Sequence, residues 1–301
     1  IGHYEVLEVG AGTGRLAADF LRHVKPERAP GRYLILERSA DLRQVQQDLI
    51  AREAPAWLDR VTWLDKPPAE HWQGMLIANE VIDALSIERF RISDGHVEQV
   101  CVSESESGLD WSTRPAPPEL EAAVRHLESD TGKVFADAYC SEIQLQLPAW
   151  LHSLTENLVQ GLALFIDYGY PRSEFYLPER SDGTLMCHYR HQAHDDPFFW
   201  PGLQDITAWV DFTALAEAAD ACGLDVEGYT SQSMFLLACG LEAILQEKAS
   251  ESSDGGMSLN NEVRQLTMPG MMGERFQVMG LGRGLDQEPA GFSLRDLRYR
   301  L

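Results

Sequence analysis

The stretch YEVLEVGAGTGRLAADFL (4–21) constrains the fold more than any other part of the chain. Residues 4–9 read as a buried strand, and Gly14–His23 as a helix. Between them stand three glycines, Gly10, Gly12 and Gly14. Such a turn can hold a nucleotide, hold another cofactor, or simply reverse the chain.

The rest of the sequence repeats the strand-then-helix rhythm. RYLILE (32–37) is a second strand, and Ser39 caps a helix over SADLRQVQQDLIAR. Further strands are expected at 61–64, 74–78, 161–167, 234–238 and 276–281. Helices are expected at 141–157 and 210–223, the latter closed by Gly223. The interval after residue 78 reads as less regular, and 103–110 and 249–256 read as loops. Continuously apolar strands alternating with helices imply an α/β fold, its parallel sheet covered on both faces. No segment separates two self-sufficient cores. The expectation is therefore one domain, 1–301, with insertions around 101–140 and 171–209.

Bulk properties narrow the function. The net charge of −22 argues against a nucleic-acid partner, which needs a basic surface to neutralise phosphates. No apolar run is long enough to span a membrane. The five cysteines have no paired spacing, which points away from a disulfide framework or zinc knuckle and toward a reducing compartment. No signal or transit sequence is visible before the first strand. A bacterial cytoplasm is expected, with the mitochondrial matrix as the alternative.

The glycine spacing is informative. A dinucleotide fingerprint is G-x-G-x-x-G, but here it is G-x-G-x-G, and Arg15 falls where the third dinucleotide glycine would stand. Glu8 precedes the first glycine by two residues. S-adenosyl-L-methionine suits this pattern, because it carries an ammonium and a ribose diol but no phosphate. Gly10, Gly12 and Gly14 let the backbone lie close to it. Glu8 can attract its ammonium, and Glu37, ending the second strand, can accept both ribose hydroxyls. Ligands of α/β sheets bind beyond the carboxyl ends of strands, where both acids fall. A purely structural turn and an NAD site are the competing readings. Trp63 and Asp65, at the end of the third strand, could border the adenine, although Trp63 is as readily a core residue.

A second constellation is ANEVIDALSIERF (78–90). Asn79 and Glu80 end the fourth strand and point into the cofactor's crevice, where Asn79 is expected to touch the cofactor as well as the acceptor, and Asp83 shares a side with Glu80 if a helical turn forms there. Paired acids can grip a guanidinium in a fork and aim one nitrogen at a methyl donor. The spacing equally allows both acids to cap a helix, or Asp83 to pair with Arg89. Asp167-Tyr168-Gly169-Tyr170-Pro171 ends another strand near the same crevice, and fits a strand-ending turn as well. His188, His191, His194, Asp195 and Asp196 have metal-like spacing, but their Pro- and aromatic-rich setting reads as an ordered loop, so no metal is assigned.

Five stretches occur in one order: LEVGAGTGRLAADFL, ANEVIDALSIERF, LFIDYGYP, GTLMCHYRHQAHDDPFFWPGLQDITAWVDFTAL and LTMPGMMGERFQVMGLGRG. Together they resemble the MidA-like family of protein arginine methyltransferases, which are related to the mitochondrial complex I assembly factor. The resemblance implies a class I methyltransferase (Rossmann-like) fold with a seven-stranded, mostly parallel sheet. It implies S-adenosyl-L-methionine as cofactor and a protein arginine as acceptor, on a complex I subunit in mitochondrial members. Glu8, Gly10, Gly12 and Gly14 match the family's cofactor turn, Glu37 its ribose acid, and Asn79, Glu80 and Asp83 its N-E-x-x-D-A element. Family members usually carry a segment ahead of the first strand that helps form the active site; here the first strand begins within four residues of Ile1, so that segment is expected either to have been removed or to lie ahead of Ile1. Alternatives are a non-catalytic assembly factor that keeps the fold, or a small-molecule methyltransferase.

Overall fold

The computed structural model describes residues 4–106, 108–190, 192–251 and 257–301. His191 and residues 252–256 of the loop expected at 249–256 lie outside them. In chain order the elements begin with β1 Glu5–Val9, α1 Arg15–His23, β2 Arg32–Leu36, α2 Ala40–Glu53, β3 Val61–Leu64 and β4 Trp72–Asn79. Next come β5 Glu88–Ser93, β6 His96–Ser105, β7 Gly108–Pro115, α3 Pro118–Thr131, β8 Cys140–Ile143, α4 Leu147–Thr155 and β9 Leu158–Tyr170. Then follow α5 Arg172–Phe175, β10 Met186–Tyr189, β11 Gln192–His194, β12 Asp205–Thr207, β13 Val210–Asp211, α6 Phe212–Ala221, β14 Asp225–Ser231, α7 Gln232–Ala238, three further helices and β15 Phe276–Arg283.

The chain divides into two compact units. The first comprises residues up to 81, with 150–168 and 216–300. Its sheet runs in the order β14-β15-β9-β4-β1-β2-β3. Strands β9, β4, β1, β2 and β3 are parallel, and β14 and β15 add an antiparallel edge. Ala17, Ala18 and Leu21 of α1 are buried with Ile50 of α2 against Val6, Tyr33 and Ile35. Burying one such Leu or Ile stabilises by about 1.5–3 kcal/mol, and the two alanines let α1 lie close to the sheet. Leu164, Val278 and Phe292 form a separate cluster in the same unit.

The second unit comprises 82–149, 169–215 and residue 301. It holds an antiparallel sheet, β7-β6-β5-β8, and a smaller one, β11-β10-β12. Leu120, Val124 and Leu127 of α3, at helical spacing, are buried with Phe90, Ile92 and Val97. The short β13 pairs with Gly169 and Tyr170.

Several expected elements differ. The less regular interval after β4 contains three antiparallel strands and α3, and of the loop expected at 103–110, residues 103–105 end β6 and 108–110 begin β7, paired antiparallel. These strands are half exposed and follow a different period from the buried parallel ones. The helix expected at 141–157 is shorter, because 140–143 pairs as β8 with β5. The helix expected from residue 210 begins two residues later, after β13. MFLLA (234–238) lies in α7 and not in a strand; a short apolar run fits either state by pattern alone.

Candidate active site

The first unit gathers four acids at one edge of its parallel sheet. Glu8 is the penultimate residue of β1, pairing with Ile35 and Ile77. Glu37 directly follows β2, Asp65 follows β3, and Glu80 follows β4. All four therefore stand at carboxyl ends of parallel strands, where α/β sheets bind ligands.

The glycine turn is built from left-handed backbone. Gly10, Gly12 and Gly14 have φ of 67°, 52° and 81°, a region that L side chains enter at a cost. A Cβ on Gly14 would come within 3.0 Å of Gln46 Cγ. A Cβ on Gly12 would meet nothing within 4 Å, so the turn is open where a ligand would lie. Arg15 pairs with Asp19 at 2.8 Å and Glu53 at 3.0 Å, joining α1 to α2.

Glu8 is 4 % exposed. The Tyr33 hydroxyl donates to its Oε2 at 2.8 Å. Burial pushes the carboxyl up to about 7, and the Tyr33 hydrogen bond only partly opposes that. A cation arriving there would favour the ionised form. Glu37 is also buried. Its Oε1 accepts from the Ser39 backbone N–H at 2.8 Å, and its Oε2 from Gln46 Nε2 at 3.2 Å. Asp65 is largely exposed and pairs with Arg43, whose guanidinium also donates to the carbonyls of Glu37 and Leu64. Trp63 is half-buried, packs on the α1–α2 core and donates to Gln46 Oε1 at 2.9 Å.

A buried carboxylate for an ammonium, a held carboxylate for a diol and open space over Gly12 fit S-adenosyl-L-methionine. Gln46, Tyr33 and Arg43 were not singled out from the sequence. A signal existed for two of them. Ser39, Arg43, Gln46 and Ile50 share one face of α2, and polar residues on a buried face require partners.

Asn79 and Glu80 are both exposed, and Asn79 Nδ2 lies 3.4 Å from Glu80 Oε1. Glu80 has φ 52°, left-handed backbone on a residue that is not glycine. Its N–H donates to the Ile166 carbonyl at 2.9 Å, and the next N–H, of Val81, to Asp167 Oδ2 at 3.2 Å. Asp167 is buried and also accepts from the Tyr168 N–H at 3.0 Å. The buried acid of the D-Y-G-Y-P stretch thus anchors the turn that carries Glu80.

No helical turn runs from Glu80 to Asp83, and β5 is the next element, so there is no helix for these acids to cap. Asp83 belongs to the second unit. It is buried there, and its carbonyl accepts from the Ala208 N–H at 3.0 Å. Arg89, weighed as its partner, lies 3.3 Å from buried Glu142 and over the Trp111 ring.

Of the histidine cluster, His194 is opposite Cys187 across the hairpin, so neighbouring His188 points to the other face. Asp196 Oδ1 accepts from the Phe198 N–H at 2.9 Å, as in a loop turn. Among the described residues no group of three or more His, Cys, Asp or Glu is arranged to hold a metal. Nor is any helix there long and apolar enough to cross a membrane.

Comparison with known proteins points to the same cofactor. A family model of S-adenosyl-L-methionine-dependent methyltransferases matches residues 2–230. A Burkholderia thailandensis protein crystallised with S-adenosyl-homocysteine bound superposes with a TM-score of 0.92 at 36% identity, covering 100% of this chain and 76% of that one. The mitochondrial protein arginine methyltransferase NDUFAF7 homolog of Drosophila melanogaster is 26% identical over 96% of this chain and 71% of its own length. Mouse mitochondrial protein arginine methyltransferase NDUFAF7 is 26% identical over 92% of this chain, which spans 66% of that protein.

Proposed function

The chain belongs to this family of S-adenosyl-L-methionine-dependent methyltransferases, and from that premise we propose that it methylates an arginine side chain of a protein acceptor. The observation that carries the reading is Glu80. An exposed carboxylate stands at the end of β4, next to the glycine turn, on backbone that folding would fill with glycine. The names of the Drosophila and mouse relatives support arginine as the acceptor.

When bound, the cofactor supplies a methyl group activated on a sulfonium. On the donor side, Glu8 receives the ammonium, Glu37 the ribose hydroxyls, Asp65 borders the adenine, and Gly10, Gly12 and Gly14 permit close contact. On the acceptor side the guanidinium arrives protonated, and its nitrogens are then poor nucleophiles. The Glu80 carboxylate accepts its N–H groups, localises its charge and takes up the proton it releases. Asn79 orients Glu80. Asp83 is assigned to the acceptor by the sequence pattern alone.

We also read the chain as a single methyltransferase domain with insertions around 101–140 and 171–209. For the acceptor protein, we propose a respiratory complex I subunit. Five free cysteines fit a reducing compartment, a bacterial cytoplasm or a mitochondrial matrix.

Transfer of labelled methyl groups to an arginine-bearing protein tests the proposal. Glu80→Gln is expected to bind S-adenosyl-L-methionine like the wild type and to lose transfer by about a hundredfold or more. Equal transfer by the variant removes Glu80 from the acceptor role. A folded wild type that binds cofactor but methylates no protein favours the non-catalytic assembly factor.

A further inference from the structure

We propose that Gln46 is a positioning residue that locks the ribose acid and the glycine turn into one geometry. The inference rests on the reading of Glu37 as the ribose acid. Gln46 is fully buried on α2, on the same face as fully buried Ile50. Its Nε2 donates to the Gly12 carbonyl at 2.8 Å and to Glu37 Oε2 at 3.2 Å, and its Oε1 accepts from Trp63 Nε1 at 2.9 Å. Only one amide orientation satisfies all three. The flipped amide would set NH₂ against the indole N–H, and oxygen against a carbonyl and a carboxylate.

Two consequences bear on the cofactor. Ser39 holds the other oxygen of Glu37 at 2.8 Å, so the carboxylate plane is fixed before a ligand arrives. Each oxygen keeps a lone pair for a hydroxyl. The Gly12 carbonyl is drawn toward α2, which turns the Thr13 N–H to the opposite side of that trans peptide. Gly14 packs on the same side chain, its missing Cβ falling 3.0 Å from Gln46 Cγ. One buried amide thus ties the end of β2, the turn after β1 and the tryptophan of β3 to α2.

A glutamine that merely fills the core and one that positions Glu37 predict different selectivity. Calorimetric titration of S-adenosylhomocysteine and its 2′-deoxy analogue into the wild type, Gln46→Met, Gln46→Glu and Glu37→Gln separates them. The wild type is expected to prefer the ribose ligand by about tenfold or more, and Glu37→Gln to lose that preference. Gln46→Met is expected to bind S-adenosylhomocysteine about tenfold more weakly and to cut the preference several-fold. Gln46→Glu sets a second carboxylate against Glu37 and is expected to act in the same direction. It carries the test if thermal unfolding shows that the methionine variant does not fold. Should Glu37→Gln lose the preference while a folded Gln46 variant keeps it, Gln46 is not a positioning residue and the Glu37 reading stands. Should Glu37→Gln keep the preference, both readings are overturned.

Discussion

Two turns at the same sheet edge adopt the same unusual backbone with opposite residue choices. Gly12 in the turn after β1 and Glu80 in the turn after β4 both have φ 52°. At the first, the residue is the one that suffers no steric cost. At the second, a glutamate sits where its Cβ is disfavoured by about 1–2 kcal/mol. Glu80 stays there because its backbone N–H and that of Val81 are anchored by Ile166 and Asp167. The difference separates the two tasks of the site. Under the proposed function, the glycine turn lets backbone approach the methyl donor, while the turn after β4 carries its strain to present the Glu80 side chain to the acceptor.

The comparison can be broken or sharpened in four ways. The largest effect belongs to Glu8. Its carboxyl, ordinarily near 4.5, is pushed to about 7 by burial. Below about 4.5 it is neutral folded and unfolded. As pH rises toward 7 only the unfolded chain ionises, so Glu8 removes about 3 kcal/mol of stability across that interval. Denaturant unfolding from pH 5 to 8 is expected to show this loss in the wild type relative to Glu8→Gln. Parallel curves would show that Glu8 is not held neutral. Next comes Gly14→Ala, which places a Cβ on backbone at φ 81° and against Gln46. Thermal unfolding should register about 2 kcal/mol of destabilisation, and a neutral result would mean the turn is not pinned.

Glu80→Gly runs the other way. It is expected to raise stability by roughly 0.5–1 kcal/mol while abolishing transfer. A destabilised variant would mean that Glu80 serves the fold. The smallest effect is at Asp65, whose side chain is 80% exposed. Asp65→Asn should change stability by less than about 0.5 kcal/mol, and a larger change would make the Arg43 pair part of the scaffold.

The sequence was most legible where local chemistry and topology coincide. Glu8, the glycines and Glu37 could be placed because apolar runs mark β1 and β2, and the structure sets both acids at the carboxyl ends of those strands. Ser39 could be found because capping is local; its side chain accepts from the Leu42 N–H at 3.3 Å. The buried face of α2 marks Gln46 as a residue that needs partners, but which partners stayed hidden, because all three come from separate segments. Asp167 stood out as a strand-end acid, but its hold on Val81 joins positions far apart in sequence. The strain at Glu80 is a dihedral, which no residue pattern announces. MFLLA misled because a five-residue apolar run carries no period, and the β5–β8 sheet escaped because its half-exposed strands lack the buried runs of β1, β2 and β9.

The central claim is methylation of a protein arginine, and the most direct measurement is mass spectrometry of arginine methylation in cells with and without this protein. Cells carrying the wild type are expected to show methylation at one arginine, or a few, confined to one acceptor. Cells lacking the protein, or carrying Glu80→Gln, are expected to lose it. An arginine methylation profile unchanged by removal of the protein would contradict the account.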